Sequence, residues 1–488
     1  MSIQFQTNEA SAESLNRPKY DETVDVRPLP VVFCGSTSSV ELTDDFSSSA
    51  EGDIVINNIR QQPKITTEGS SWYAAVFLVV NAALGAGLLD FPQAFDQAGG
   101  ILVAIIVQAV LIAFVVGALV ILAYCSDRNN SSTYQEVVLA VCGKKVQQLC
   151  AVTVILYCYG TCITFIIIIG DQFERVFASL YGNDFCHYWY MNRNFTMITS
   201  CVLLILPLCF PRRIDFLKYA STVGVLAVLY VVFLIIYKYY EGSHEAGPIK
   251  TSPDVWTELF LVVPVICFSY QCHVSCVPVY SCLKDRRVSV FLKTVIVAIL
   301  ICMFTYTVAA TFGYLTFGSL VTSDILESYD ANDPVVLVGI VALAAKTYTT
   351  YPILLFCGRT AIDDIYIQVR SLPPELAARG ERMRRIITAL VWFITTLTLA
   401  VVTPNIGVVI QLLGSLAAVF IFVFPGLCLL QETLRKDPSI ILLKDKFLVF
   451  VSGVFLAIGM GIFGLVLTQS IAEDINSPSE VERINLYV

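Results

Sequence analysis

From Ser71 onward, apolar runs of about 17 to 28 residues recur between short polar loops, and each is long enough to cross roughly 30 Å of hydrocarbon as a helix. Eleven such runs can be drawn, at 72–95, 101–124, 148–170, 195–211, 218–237, 255–283, 289–316, 334–358, 386–403, 405–430 and 446–470. The pattern predicts an all-α polytopic membrane protein.

Residues 1–70 break this rhythm. They lack an apolar core and are rich in Ser, Thr, Asp and Glu, so the segment is expected to be a disordered, acidic tail, and the first helix has to serve as the insertion signal. The helical part divides into two five-helix halves, 71–237 and 238–430, followed by a loop and eleventh helix at 431–470 and a tail at 471–488. Orientation follows from the loop bases, which accumulate on the cytosolic side. With the first tail inside, the cytosolic loops hold twenty Lys and Arg against five on the other side. The N-terminus is therefore expected in the cytosol and the C-terminus in the lumen or outside. The sequon at Asn194 falls on the outer side and is a candidate for glycosylation, whereas those at Asn129 and Asn130 fall in a cytosolic loop.

Composition agrees with lipid as the solvent. Of 488 residues 56% are hydrophobic and 14% charged, and the 19 prolines and 27 glycines lie largely inside the apolar runs. The net charge of −8 comes mostly from the tail, so it implies no nucleic-acid partner. Fifteen of the 16 cysteines lie away from the outer loops, with Cys186 the exception, so no loop-to-loop disulfide is expected. Neither the cysteines nor the three histidines show metal-ligand spacing, and no cofactor or metal other than a coupling ion is expected. No His-based triad is available for an enzyme, and no span carries the polar ring of a channel.

Two spans are interrupted. The first reads Val79-Val-Asn-Ala-Ala-Leu-Gly-Ala-Gly-Leu-Leu-Asp-Phe-Pro92, and the sixth carries Phe268-Ser-Tyr-Gln-Cys-His273 between Pro264 and Pro278. They lead the two five-helix halves, where inverted-repeat transporters keep discontinuous helices. An unwound segment exposes N–H groups that bind a carboxylate and carbonyls that bind a cation. The alternative for Gly85 and Gly87 is close helix packing alone.

NAALGAGLLDFP, ICFSYQCHVSCVPV, TYPILLFCGR and FIFVFPGLCL resemble segments of the sodium-coupled neutral amino acid transporters of the amino acid/auxin permease group. The resemblance runs from Ser71 to about Ser470. LVILAYCS, TYQEVV, GTCI and IIIIGDQ look most like the group's lysosomal glutamine and asparagine exporters. The resemblance implies eleven helices, the first ten in a leucine-transporter-like 5+5 inverted repeat. It also implies secondary active symport with sodium or protons. It assigns the substrate carboxylate to Gly85, Ala86 and Gly87, the pocket wall to Phe268, Ser269, Tyr270 and Gln271, and the cation site to Asn81, Thr349 and Thr350.

Five positions depart from that pattern or add to it. Ser269-Tyr270 stands where Gly-Phe is expected, adding two hydroxyls. Asp90 replaces an expected Asn and reads as a helix N-cap or as a gating acid. Lys346 is an intramembrane lysine, which costs about 2.5–3.5 kcal/mol on insertion scales. It lies one turn from Thr349 and Thr350, so its ammonium can supply the charge a sodium ion would bring and shift coupling toward protons, or it can snorkel into an aqueous cavity. His273 follows the second break and is a candidate lumenal pH sensor or a satisfied buried polar group. The rival class is a transceptor that binds the same amino acids and signals through its tail to a nutrient-signalling partner. The tail shows no sorting signal, so a lysosomal membrane rather than the plasma membrane is implied by the resemblance alone, with export toward the cytosol.

Overall fold

The computed structural model describes residues 70–181, 189–211, 217–242, 246–403, 406–436 and 443–476. Of the expected tails at 1–70 and 471–488 only Ser70 and 471–476 are described, and 471–476 continue α15 instead of forming a tail; the rest of both tails and Cys186 lie outside the described residues. Among the described residues the chain is helical: α1 (Trp72–Ala83), α2 (Phe91–Gln97), α3 (Ile101–Asn129), α4 (Tyr134–Cys142), α5 (Lys144–Tyr181), α6 (Arg193–Ser200), α7 (Leu217–Glu241), α8 (Val262–Ser269), α9 (His273–Ser281), α10 (Val288–Phe317), α11 (Pro334–Arg370), α12 (Pro374–Val402), α13 (Ile406–Ala418), α14 (Phe424–Leu434) and α15 (Leu443–Asn476). Nine helical segments there are long and apolar enough to cross a membrane, and Trp72–Ala83 and Arg193–Cys209 are shorter apolar helices. The protein is thus an all-helical, multi-pass membrane protein. Large apolar side chains such as Phe304, 73% exposed, and Leu102, 69% exposed, cover its outer surface, as lipid contact requires.

Element boundaries depart from the predicted runs where polar residues continue a helix beyond the hydrocarbon. The run at 334–358 continues to Arg370, and that at 386–403 begins at Pro374. Intrahelical hydrogen bonding does not stop where hydropathy does. The helix α4, unmarked by hydropathy, is set by a capping box: Thr133 Oγ1 accepts from Glu136 N–H while the Glu136 carboxylate accepts from Thr133 N–H. Gly143, at φ 84°, turns the chain from α4 into α5.

The core is built by helix contacts both within and between the two halves of the sequence. Gly414 of α13 presses onto α8, where an added Cβ would lie 2.4 Å from Pro264 O. A π-helical turn at Val419–Val423, ahead of Pro425, joins α13 to α14. The Phe420 carbonyl in this turn accepts a hydrogen bond from Tyr134 Oη at 3.2 Å. Thirteen cysteines among the described residues are free, most of them buried as small hydrophobes. Cys282, at the C-cap of α9, is disulfide-bonded and so stands apart from these free thiols.

Candidate functional site

Both sequence-predicted interruptions are real breaks. The first helix stops at Ala83; Leu84 and Gly85 are extended, a 3-10 turn covers Ala86–Leu89, and α2 starts at Phe91. The turn's own hydrogen bonds begin at Leu88 N–H, so the Ala86 and Gly87 amides precede it. In the second, α8 ends at Ser269 and α9 starts at His273, leaving Tyr270, Gln271 and Cys272 between them.

The two breaks meet. A Cβ on Gly87 would fall 1.9 Å from Ser269 Oγ and 3.2 Å from Ser269 Cα, so glycine is required by close approach. Gly85 is different: its φ of −124° is ordinary extended backbone, and the nearest atom to an added Cβ is Ala83 O at 3.8 Å. Ser269 Oγ is buried beside Gly87 and has no hydrogen-bond partner. Phe268, Ser269, Tyr270 and Gln271 are all buried, with Phe268 packed on Tyr157 of α5.

Polar residues that hydropathy does not single out hold this junction. Gln108, fully buried in the N-terminal third of α3, donates from Nε2 to Tyr270 Oη at 2.7 Å and accepts from Thr307 Oγ1 at 3.1 Å. Tyr306 of α10 accepts from Gly85 N–H at 3.2 Å, and its hydroxyl faces Ala83 O at 2.8 Å and Ser269 O at 3.3 Å. An intramembrane glutamine is a signal the sequence carried; a tyrosine in an apolar run is not.

Of the predicted cation residues, Lys346 is brought to the same break. Lys346 lays its stem against Gly224 of α7, where an added Cβ would meet Lys346 Cγ at 3.2 Å. Its ammonium donates to Leu84 O, at the C-cap of α1, at 2.9 Å. This carbonyl follows the last turn of α1 and lies at the negative end of the helix dipole, which favours a cation. Thr349 and Thr350 both donate to Lys346 O at 2.8 Å, back-bonding to their own helix. Asn81 is half-buried, one turn before Leu84. Among the described residues no group of His, Cys, Asp and Glu is arranged to hold a metal ion.

Asp90 occupies the N-cap position of α2, but its side chain makes no capping hydrogen bond; its carbonyl accepts from Ala94 N–H at 3.0 Å. His273 is fully buried at the start of α9, with Nδ1 3.0 Å from Gln271 Oε1. Asn194 is exposed in the first turn of α6, with its backbone N–H on Asn192 Oδ1.

At the predicted outer ends the helices are tied by charge. Arg193 donates to Asp171 at 2.6 Å, and Lys238 pairs with Asp333, the N-cap of α11. The Lys238 ammonium holds the Asp333 carboxyl below its usual range. Asp324, in the loop between α10 and α11, is fully buried; Oδ1 accepts from Leu326 N–H at 2.9 Å and Oδ2 from Gln172 Nε2 at 3.1 Å. Burial pushes this carboxyl up to about 6, against the opposing pull of the Arg175 guanidinium.

A family model described as transmembrane amino acid transporter protein matches residues 68–472. The chain is 43% identical over 417 residues to sodium-coupled neutral amino acid transporter 7 of Danio rerio, covering 84% of this chain and 90% of that one. Its Homo sapiens counterpart is 42% identical, covering 83% and 89%. Solute carrier family 38 member 8 of Homo sapiens is 36% identical, covering 76% and 87%. Among solved structures, a variant of the Eremococcus coleocola manganese transporter superposes with a TM-score of 0.53 at 12% identity, over 88% of this chain and 94% of that one, which is a likeness of fold.

Proposed function

The chain belongs to the transmembrane amino acid transporter protein family and is a transport protein rather than an enzyme, and we propose that it is a secondary active symporter of small neutral amino acids. The amides at Gly85–Ala86–Gly87 receive the substrate carboxylate, and Phe268–Gln271 line the side-chain pocket. In this reading the chain forms two five-helix halves plus one helix, with α1–α2 and α8–α9 as their corresponding broken members. Touching breaks suit that assignment, because movement of one half against the other opens the junction toward one side at a time.

One observation carries the coupling. The Lys346 ammonium rests on the Leu84 carbonyl, the group that an unwound first helix would offer to a cation. The relatives are named as sodium-coupled. In this chain coupling runs through Lys346: the charged amine ties α11 to the end of α1, and loss of its proton weakens that tie, so proton movement accompanies the change of access. Asn81, Thr349 and Thr350 supply oxygens for sodium when the lysine charge is removed. His273 and Asp90 act at the breaks as gating groups. The substrates are glutamine and asparagine, and an acidic lysosomal lumen supplies the protons for export to the cytosol.

The test is radiolabelled glutamine flux into proteoliposomes with sodium and proton gradients imposed separately. Flux driven by a proton gradient in sodium-free buffer supports the reading. A strict sodium requirement overturns coupling through Lys346, and glutamine binding without flux under either gradient overturns transport in favour of a signalling receptor.

A further inference from the structure

Each broken helix ends in carbonyls that no following turn can satisfy, and these orphan oxygens are expensive to bury without a donor. Three converge at the junction: Leu84 O, which Lys346 caps, and Ala83 O and Ser269 O, which point at one atom. That atom is Tyr306 Oη, 2.8 Å from Ala83 O and 3.3 Å from Ser269 O. The same oxygen accepts from Gly85 N–H at 3.2 Å, so one hydroxyl bonds to both half-helix ends and to the first amide of the break.

The ring has little freedom to leave. Tyr306 is fully buried, stacked on Phe91 at 4.6 Å with an interplanar angle of 13°, and met edge-on by Tyr270 at 5.3 Å. Phe91 opens α2 and Tyr270 lies within the second break, so the clamp itself is made from the two discontinuous helices. In broken-helix transporters, freed carbonyls of this kind coordinate the coupling cation. Here the oxygens are already served by donors carried on α10 and α11.

We infer that Tyr306 is a positioning residue whose hydroxyl is a tethered substitute for a bound cation between the two breaks, and that it aligns the Gly85 amide for the substrate carboxylate. The inference rests on the transport reading and adds a second covalent donor to that of Lys346. Because a phenol donates one proton and carries no charge, this point of the site works without an ion gradient, and any coupling charge is confined to the Lys346 point.

The experiment compares wild type, Tyr306→Phe and Tyr306→Asn in proteoliposomes, reading half-saturating glutamine concentration in sodium-free buffer and its response to added sodium, lithium and potassium. Tyr306→Phe, which keeps the ring, is expected to raise the half-saturating concentration about tenfold, the scale of leaving buried carbonyls unpaired. Tyr306→Asn, which removes the ring and opens space, is expected to gain saturable activation by sodium or lithium that wild type lacks. Wild-type values in the Phe variant, or absence of cation activation in a folded Asn variant, overturn the inference. Should wild type carry no flux, the transport reading fails by itself. Glutamine-induced thermal shift then reads Tyr306 independently: loss of the shift in Tyr306→Phe supports the positioning role, and an unchanged shift overturns it. Where the Phe variant does not fold, the Asn variant is read by the same shift.

Discussion

Gly87 and Ser269 are in contact so close that no side chain fits on the glycine: an added Cβ would lie 1.9 Å from Ser269 Oγ. Through this one contact the broken helix near the start of the chain is fitted to the broken helix near its middle. Replacing Gly87 therefore forces the two breaks apart. Gly87→Ala is expected to abolish glutamine flux, while Gly85→Ala, whose Cβ would have its nearest neighbour at 3.8 Å, retains flux within about threefold of wild type on steric grounds. Adding Ser269→Gly to Gly87→Ala removes the colliding oxygen and restores part of the flux. Equal loss in both single variants would count against the close-approach argument.

Lys346 gives a second prediction. Removing its ammonium leaves Leu84 O without its donor and frees the place where that charge sat. Lys346→Ser is expected to create or strengthen sodium dependence of glutamine flux by about tenfold or more and to abolish driving by a proton gradient. Gly224→Val, which crowds the lysine stem at 3.2 Å, should weaken proton-driven flux by displacing the same amine. Ion-substitution assays on the purified variants decide this, and unchanged coupling in Lys346→Ser removes the basis of the proposal.

Asp324 makes stability depend on pH. Its carboxyl is raised by burial to about 6, above its unfolded value, so the protonated form is favoured by folding. That contribution is complete below the unfolded value near 4 and is lost as pH rises through about 6. Thermal stability is expected to increase by a few degrees as pH falls from about 7 to about 5. Asp324→Asn should reduce this dependence, Glu327 in the same loop being raised by burial in the same direction and keeping the rest; the Gln172 amide, whose Oε1 has no partner, can rotate to accept from the new carboxamide. Scanning fluorimetry of both proteins across that range checks the sign. The Lys238–Asp333 pair moves oppositely: its depressed carboxyl loses its contribution only at pH below the ordinary carboxylate range.

Gln108 links three helices through its single carboxamide. Gln108→Leu leaves Tyr270 Oη and Thr307 Oγ1 without their bonds to it, costing about 1–3 kcal/mol for the buried Tyr270 hydroxyl and less for the half-buried Thr307. The variant is expected to melt several degrees lower and to bind glutamine more weakly, because Tyr270 belongs to the second break. Gln108→Glu retains an acceptor for Thr307 and should lose less. A Leu variant with the wild-type melting temperature would show that the network contributes nothing.

Much of the fold was legible in the chain because its causes are local. Lipid demands long apolar helices, and the runs from 72–95 to 446–470 marked where they lie, though not where α11 and α12 continue beyond the hydrocarbon, since helical hydrogen bonds persist into polar sequence. The pair at Gly85 and Gly87 and the polar stretch Ser269–His273 marked the breaks, because they interrupt the leading span of each half with residues that leave backbone groups free. Lys346 was visible for the same reason: a charge in an apolar run is a local anomaly.

What these anomalies touch was decided by tertiary structure. Lys346 reaches a carbonyl 262 positions away, and Tyr306 reaches one 223 positions away. Hydropathy had marked Lys346 but passed over Tyr306, whose ring is ordinary in a membrane helix and whose hydroxyl acquires its role only when two unwound segments bring their free carbonyls to it. The sequence by itself determined that backbone groups would be left unpaired in the membrane, because unwinding follows from local residue type. Which donors would satisfy them depended on helix packing, because a hydrogen bond is set by the position of two atoms and the chain order constrains that position hardly at all.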